Sequence, residues 1–409
     1  MEGYNKKVIM SYWTICRMKT TKKIYVKVSI IFLLGGILLF SSCEKEENQK
    51  IEANRKTLFM YLPWSSNLTN YFYNNISDLE KCITKIGLNN EKVIVFISTG
   101  STEAMMFEIV SSHGRCKREI LKKYKSPPFT TIDGITAILN DVKAFAPASV
   151  YTMIIGCHGM GWLPVYEMKV RSAPHMKMHW EYQGVPLTRY FGGLTAEYQT
   201  DIKSLASGIA NAGMKMEYIL FDDCYMSSIE VAYELKDVTK YLIGSTSEMM
   251  AYGMPYAAIG EYLLGNPDYQ SGCEEFYNFY STYEIMPCGT LAVTDCSELE
   301  NMAAIIKSIN SKYSFDKSLR GTIQRLDGYT PVIFYDFADY ITSLCNDPIL
   351  LNQFREQLNH LVPYKTHTKN FYTMAKGIIP INTFSGITTS DPSDNPMTCL
   401  LYTSDAADE

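Results

Sequence analysis

The sequence lacks the short motifs of several common kinds of functional site. Its eleven cysteines include no C-x-x-C pair and no zinc-ligand spacing, which disfavours a disulfide framework, although one bridge fits the pattern. It has neither a phosphate-binding glycine loop nor a Gly-x-Ser-x-Gly elbow, which disfavours a P-loop nucleotide site and a serine hydrolase of the elbow type. His175 and His179 lie four residues apart without the acidic residue of the metalloprotease pattern between them, so no metal site is predicted.

Basic residues are scarce beyond the amino terminus. Residues 1–42 contain seven of the 38 Lys and Arg residues and one of the 43 acidic residues, which leaves a net charge of −11 on the rest of the chain. A nucleic-acid-binding domain needs a basic surface, so nucleic acid is not an expected partner. With 409 residues and 46% apolar content, the chain can bury a large core and form one large domain or two ordinary ones.

The amino terminus has the pattern of an export signal. Lysines at positions 19–27 precede an apolar run from Val28 to Phe40, which is too short for an ordinary transmembrane helix. Small residues then precede Cys43 in a pattern that resembles the lipobox of bacterial lipoproteins, in which the cysteine is lipid-modified. The alternative is a chance cysteine after an uncleaved anchor. We predict a signal peptide over residues 1–42 and a lipoprotein of the cell envelope, in the outer membrane or at the cell surface.

Composition sets the remaining boundaries. Met18 is a better-placed start than the first methionine because the basic part of the signal then begins at once, and residues 1–17 then result from an over-extended gene prediction. Residues 43–55 form the lipidated cysteine and a polar tether, and residues 56–398 form the folded domain. The tail at 399–409 resembles translated sequencing adapter, so we expect it to be non-native.

The chain beyond Lys56 alternates between β-rich apolar runs and segments with helical spacing, which predicts an α/β fold. Thr131 is expected to cap a helix, and Gly114 to lie in the turn of a hairpin. The predicted strands are Leu58–Leu62, Val93–Ile97, Met105–Val110, Glu119–Tyr124, Val150–Ile155, Tyr218–Phe221, Tyr241–Gly244, Thr290–Thr294 and Pro331–Tyr335. The predicted helices are Asn67–Ile86, Ile132–Phe145, Asp201–Ala212, Phe276–Tyr283, Leu299–Tyr313, Phe337–Cys345 and Leu350–Leu361, with another that ends at Leu235.

Two of these strands stop just before a residue that can do chemistry. Val150–Ile155 precedes His158, and Tyr218–Phe221 precedes Cys224. Residues just past the carboxyl ends of neighbouring parallel strands lie together in the crevice where ligands bind. A cysteine attacks as thiolate, and an imidazole can take its proton and later protonate the leaving amine. The N–H groups of Gly159 and Cys224 are the predicted oxyanion hole.

The alternative from the residues alone is that neither side chain is catalytic. Cysteine is often buried as a small hydrophobic residue, and a histidine at a strand end can be a satisfied polar group. This alternative and the catalytic pair of His158 and Cys224 carry similar weight at this point.

The two blocks also resemble a known family. The His-Gly-x-Gly-Trp block at His158, the Phe-Asp-x-Cys-x-Met-Ser block around Cys224 and the alternation near them are similar to the clostripain family of cysteine peptidases. The likeness covers about residues 57–339 and implies a caspase-like three-layer α/β/α sandwich, with a mostly parallel central sheet and helical additions at its C-terminal end. By position, His158 matches the family's catalytic histidine, Cys224 its nucleophile and Asp222 the acid at the base of its primary specificity pocket.

The resemblance implies cleavage after Arg or Lys. Asp222 lies two residues before the nucleophile, on the same strand face, and its carboxylate can pair with a cationic side chain. The stretch from Ser247 to Tyr256 resembles the loop that walls the family's pocket, so Ser247 and Glu248 are predicted to bind substrate. It has Met254 where a tryptophan is more usual. Asp223 stands where a small residue is expected, and strand alternation predicts that it points away from the sulfur.

The segment from Leu163 to Thr200 is too irregular for a simple crossover and contains Lys169, Arg171, Lys177 and Arg189. In several clostripain-family members, cleavage between the two blocks accompanies maturation. We predict that this segment governs access to the cleft and is cut by the enzyme itself. The alternative is a surface insertion whose basic residues are solvated.

The sequence therefore predicts a membrane-anchored cysteine endopeptidase that acts on proteins or peptides with basic residues. No cofactor is predicted, and calcium dependence stays open. One alternative is a Cys/His acyl hydrolase or transferase in which Asp222 does not bind a cationic side chain of the substrate. The other is a catalytically degenerate surface lipoprotein that binds peptides or glycans.

Overall fold

The structure, a computed structural model, describes residues 54–65, 67–163 and 198–390. Several predicted features lie outside these residues: the signal peptide, Cys43, the tail at 399–409, His175, His179 and most of the access segment. Within the described ranges, no helix is both long enough and apolar enough to cross a membrane.

The described residues are built around one mixed sheet. The strands are β1 (Asn54–Leu62), β2 (Glu91–Ser98), β3 (Glu103–Ser112), β4 (Arg115–Lys125), β5 (Ala148–Ile155), β6 (Met216–Phe221), β7 (Thr239–Gly244), β8 (Thr290–Asp295), β9 (Tyr335–Asp336), β10 (Tyr364–His367), β11 (Asn370–Thr373), β12 (Gly377–Pro380) and β13 (Thr388–Thr389). Nine of them form the sheet in the order β10-β8-β7-β6-β5-β1-β2-β3-β4. Its five middle strands, from β7 to β2, are parallel, and two antiparallel strands flank them on each side.

Helices cover both faces of this sheet. They are α1 (Thr69–Ile86), α2 (Ile132–Phe145), α3 (Ile202–Asn211), α4 (Ile229–Leu235), α5 (Tyr256–Leu263), α6 (Tyr269–Ser281), α7 (Leu299–Asn310), α8 (Phe337–Leu344) and α9 (Pro348–Leu361). Successive side chains of a strand point to opposite faces, and all of Val93–Ile97 in β2 are fully buried, so both faces are covered. α1, α5 and α6 form one packed group, and α2, α3 and α4 form another. The predicted α/β/α sandwich is confirmed.

Two local predictions are confirmed by their hydrogen bonds and dihedral angles. The Thr131 hydroxyl accepts a hydrogen bond from Gly134 N–H at 3.1 Å and caps α2, which has the predicted bounds. The turn between β3 and β4 has φ of 51° at His113 and 68° at Gly114. Positive φ at both central residues is the geometry that suits a two-residue hairpin turn.

The predicted strand at Pro331–Tyr335 is mostly wrong. Only Tyr335 belongs to a strand, the two-residue β9, because the residues before it wrap around a buried carboxylate. Asp327 accepts hydrogen bonds from the N–H groups of Tyr329, Ile333 and Phe334 at 2.8, 2.7 and 2.6 Å. Burial raises the pKa of Asp327. The apolar run therefore packs beside the cysteine loop instead of joining the central sheet.

Candidate active site

The two predicted catalytic loops leave the sheet side by side. β5 and β6 are parallel neighbours, and their last residues, Ile155 and Phe221, are paired in register. The Asp222 N–H continues this ladder by donating to the Ile155 carbonyl at 2.8 Å. His158 and Cys224 each lie three residues beyond their strand, so the structure places both at the same edge of the sheet.

Gly159 shows how closely the two loops approach each other. A Cβ atom at this position would lie 2.2 Å from the Cys224 carbonyl oxygen and 3.0 Å from the Cys224 nitrogen. Real Cβ atoms do not approach other atoms this closely, so only glycine fits between the loops. The backbones of the two predicted oxyanion-hole residues are therefore packed against each other.

His158 is buried, and a third loop contacts its ring. Its Nε2 atom lies 3.0 Å from Oδ1 of Asn67. Because an amide oxygen only accepts, Nε2 is the protonated nitrogen of the neutral ring, which leaves Nδ1 as the nitrogen that can take a proton. Asn67 follows β1, the strand that pairs with β5 on the side opposite β6. Sequence reasoning did not include Asn67 among the site residues.

Cys224 begins a sharp turn. Its sulfur accepts a hydrogen bond from the Met249 N–H at 3.1 Å, and its side chain is buried. The next residue, Tyr225, has φ of 61°, a left-handed conformation that costs a non-glycine residue about 1–2 kcal/mol. The Tyr225 ring stacks on Phe334 with centroids 4.9 Å apart, and its hydroxyl donates to Glu248 at 2.9 Å. These contacts offset the backbone cost and fix the turn.

Asp222 and Asp223 point to different partners. Asp222 is buried and accepts hydrogen bonds from the Met254 N–H at 2.8 Å and the Tyr256 hydroxyl at 2.9 Å. It therefore faces the stretch predicted to wall the specificity pocket. Asp223 accepts from the Cys157 N–H at 2.7 Å, so its carboxylate contacts the histidine loop. That it points away from the Cys224 sulfur stays a prediction.

Comparison with known proteins identifies the family. A family model described as the clostripain family matches residues 60–379. The chain belongs to the clostripain family. A comparison with curated proteins found no match.

Solved structures of other clostripain-family proteins are similar to this chain. A secreted C11 cysteine protease from Bacteroides thetaiotaomicron, iotapain, is 58% identical, with 86% of this chain and 97% of that one covered and a TM-score of 0.79. A clostripain from Bacteroides thetaiotaomicron ATCC 29148, in complex with the peptide inhibitor BTN-VLTK-AOMK, is 65% identical, with 52% and 95% covered and a TM-score of 0.51. An inactive zymogen C11 protease from Parabacteroides distasonis, 24% identical over 85% and 95% with a TM-score of 0.70, shares the fold. The chain is a cysteine peptidase of this family.

In this clostripain-family peptidase, Ser247 and Glu248 support the loop that begins at Cys224. The Ser247 carbonyl accepts from the Tyr225 N–H at 3.1 Å. Besides the Tyr225 hydroxyl, the Glu248 carboxylate accepts from the Met374 N–H at 3.0 Å. Burial raises the pKa of Tyr225 well above its ordinary value, which keeps this hydroxyl a donor. The predicted substrate contacts of Ser247 and Glu248 stay predictions.

A C-terminal segment, residues 385–390, contacts both predicted catalytic loops of the peptidase. The Thr388 N–H donates to the Ser227 carbonyl at 3.0 Å, just after the cysteine. The Trp162 indole N–H, in the histidine block, donates to the Ser390 hydroxyl at 2.9 Å. Glu230 accepts from the Ser390 N–H at 2.9 Å, and burial raises the pKa of this carboxyl group. The segment thus contacts the histidine loop, the cysteine loop and helix α4.

The described residues of the peptidase contain no group of three or more His, Cys, Asp or Glu side chains that could hold a metal ion. The cysteines within the described ranges are all free thiols. The one bridge that the sequence left open is therefore not formed among them.

Proposed function

We propose that this peptidase hydrolyses peptide bonds after Arg or Lys, with Cys224 as nucleophile and His158 as acid/base. The observation that carries the proposal is the close packing of the histidine and cysteine loops at neighbouring strand ends, where an added Cβ at Gly159 would meet the Cys224 backbone at 2.2 Å. Asn67 adds support, because its contact with Nε2 presents the other ring nitrogen as the base.

The reaction follows the chemistry of a thiol and an imidazole. His158 takes the thiol proton, and the Cys224 sulfur attacks the peptide carbonyl carbon. The resulting oxyanion accepts hydrogen bonds from the N–H groups of Gly159 and Cys224. The intermediate collapses to a thioester as the imidazolium protonates the leaving amine. Water, deprotonated by the same imidazole, then hydrolyses the thioester and restores the thiol.

Asp222 is the proposed reader of the basic side chain. It is buried and directed toward the Met254 and Tyr256 stretch. An uncharged substrate side chain would leave a buried carboxylate without a charged partner, which disfavours that substrate. The inhibitor of the 65% identical relative, BTN-VLTK-AOMK, carries a peptide that ends in lysine, which supports the same preference.

A set of fluorogenic peptides tests the proposal. Peptides that end in Arg, Lys, Asp or Ala are incubated with the purified protein, beside Cys224→Ala and His158→Ala variants. We expect hydrolysis of the Arg and Lys peptides only, and a loss of about 100-fold or more in kcat for either variant because the covalent path is lost. Hydrolysis by Cys224→Ala would overturn the assigned nucleophile. Equal hydrolysis of all four peptides would favour a Cys/His hydrolase without a cation-reading pocket.

We also propose that Cys43 anchors the peptidase to a membrane outside the cytoplasm. The basic and apolar pattern before Cys43 supports export, and the 58% identical relative is described as secreted. Fractionation of the native host should find Cys43→Ala protein outside the membrane pool. An unchanged distribution would count against lipidation.

Self-cleavage between Leu163 and Thr200 is a further proposal, supported by the basic residues of that segment and the proposed specificity. Mass spectrometry of wild-type and Cys224→Ala protein decides it. A new amino terminus in this range should appear only in the wild type, and an intact, fully active wild-type chain would rule the idea out.

A further inference from the structure

The residues that precede the two proposed catalytic residues bind each other. Asp223 precedes Cys224, and Cys157 precedes His158. Asp223 Oδ1 accepts a hydrogen bond from the Cys157 N–H at 2.7 Å, and Oδ2 accepts one from the Cys157 thiol at 3.2 Å. Both oxygens of one carboxylate are therefore directed at a single residue of the opposite loop.

This contact is buried and tightly packed. Asp223 is 1% exposed, so water does not compete strongly for its oxygens. A backbone N–H bound to a carboxylate at 2.7 Å is a short, charge-assisted hydrogen bond, which is stronger than one between neutral groups. Close by, a Cβ on Gly159 would lie 2.8 Å from the Asp223 Cβ, so the loop cannot slide past the aspartate.

The Cys157 thiol has two acceptors within reach. Its sulfur lies 3.1 Å from the His158 carbonyl oxygen and 3.2 Å from Asp223 Oδ2. A thiol has one proton, so it donates to one of these oxygens at a time, and in either case it is the protonated form that makes the bond. Cys224 differs because its sulfur accepts a hydrogen bond from the Met249 N–H at 3.1 Å, in addition to lying 3.8 Å from the Met249 carbonyl oxygen.

We propose that Asp223 is a positioning residue for the peptidase reaction. Through Cys157 it holds His158 and Gly159 in register with the Cys224 loop, and its Oδ2 atom is an acceptor for the protonated Cys157 thiol. The proposal rests on the catalytic roles proposed above. It also explains why a carboxylate is tolerated directly before a nucleophile, since its charge is directed at the other loop.

Four variants separate the parts of this contact. Asp223→Ala removes both acceptors, and Asp223→Asn keeps an oxygen for the Cys157 N–H. Cys157→Ala removes the thiol donor, and Cys157→Ser restores a donor. A misplacement of about 1 Å can cost about 100-fold in rate, so we expect Asp223→Ala to lower kcat by about that factor with KM little changed. Asp223→Asn should recover part of the loss, and Cys157→Ser should be more active than Cys157→Ala.

Coupling and stability controls distinguish positioning from a general structural role. The Asp223→Ala/Cys157→Ala double variant should be no slower than Asp223→Ala, because both changes remove one contact. Ile138→Ala in α2, which truncates a buried core residue outside both loops, serves as the control for lost stability. If Ile138→Ala lowers Tm as much as Asp223→Ala and lowers kcat equally, the aspartate has only a structural role and the proposal is wrong.

A labelling readout does not depend on peptide hydrolysis. Iodoacetamide reacts with thiolates, and mass spectrometry reports the modified cysteine. The wild type should be alkylated faster at Cys224 than at Cys157, and this difference should shrink in Asp223→Ala. Unchanged labelling together with wild-type kcat in Asp223→Ala would overturn the proposal. A wild type that labels selectively but hydrolyses none of the peptides would instead refute the proposed function.

Discussion

Replacing Gly159 with alanine should separate the two catalytic loops. The added methyl group would begin 2.2 Å from the Cys224 carbonyl oxygen, whereas ordinary contacts of a Cβ start at 3.4 Å. The nearest neighbours are the Cys224 carbonyl oxygen and nitrogen and the Asp223 Cβ, none of which can rotate out of the way as the far end of a flexible side chain can. The loops must therefore move apart by about 1.2 Å to remove the clash.

This displacement sets the size of the expected effect. A shift of about 1 Å between reacting groups can cost about 100-fold in rate, and loss of one oxyanion donor costs a comparable factor. We therefore expect kcat of Gly159→Ala to fall at least about 100-fold. Overpacking typically costs about 1–3 kcal/mol of stability, so the fold should survive with a lower Tm.

The assay compares kcat and KM for an Arg or Lys peptide with Tm from thermal unfolding. Gly100→Ala is the matched control, because a Cβ at Gly100 meets no atom within 4 Å. It should keep wild-type activity. If Gly159→Ala has wild-type kcat and Tm, the close approach of the two loops does not exist in the active enzyme, and the reasoning fails.

Three further predictions concern other residues of the site. Asn67→Ala should lower kcat about ten-fold with KM nearly unchanged, because the His158 ring loses the acceptor that orients it; an unaltered kcat would contradict this role. Asp222→Ala should lower kcat/KM for Arg and Lys peptides more than for an Ala peptide, and equal losses would place the cation reader elsewhere. Burial raises the pKa of Glu230, so the wild type should lose stability as pH rises above about 4.5, the ordinary pKa, through the raised one. Glu230→Gln lacks this loss, so the Tm of the variant minus the Tm of the wild type should be larger at pH 8 than at pH 4. The same Tm difference at both pH values would contradict this prediction.

The placement of His158 and Cys224 at one edge of the sheet could be predicted because it depends on a general property of parallel sheets. His158 and Cys224 each follow a β-rich run, and such runs bring their carboxyl ends to one edge when they are neighbours. Asn67 could not be found in this way. It lies five residues beyond the end of β1, and its contact depends on β1 lying beside β5, a relation that chain order does not reveal.

The segments that were missed or wrongly assigned have separate physical causes. The apolar run before Tyr335 has the composition of a buried strand. In the structure its Phe334 ring packs against Tyr225, and its backbone N–H groups donate to the Asp327 carboxylate instead of to a neighbouring strand. The amino-acid composition of a segment indicates that it is buried, but it does not indicate which residues the segment packs against. The strands from β10 to β13 have two to four residues each, too few for an alternating pattern to stand out. Helix α5 was missed because Pro255 at its N-cap and Gly260 within it are residues that commonly interrupt helices.

The C-terminal segment has a consequence for the time at which the enzyme becomes active. A ribosome makes the histidine and cysteine loops well before residues 385–390, and a chain exported from its amino terminus delivers them in the same order. Until Thr388 and Ser390 arrive, the Ser227 carbonyl and the Trp162 indole lack the partners that hold them in the folded protein. The parallel sheet can form earlier, but the hydrogen bonds that Ser227 and Trp162 make to the C-terminal segment require residues 385–390. A protease assembled in this order acquires the contacts of Ser227 and Trp162 only after residues 385–390 have left the ribosome.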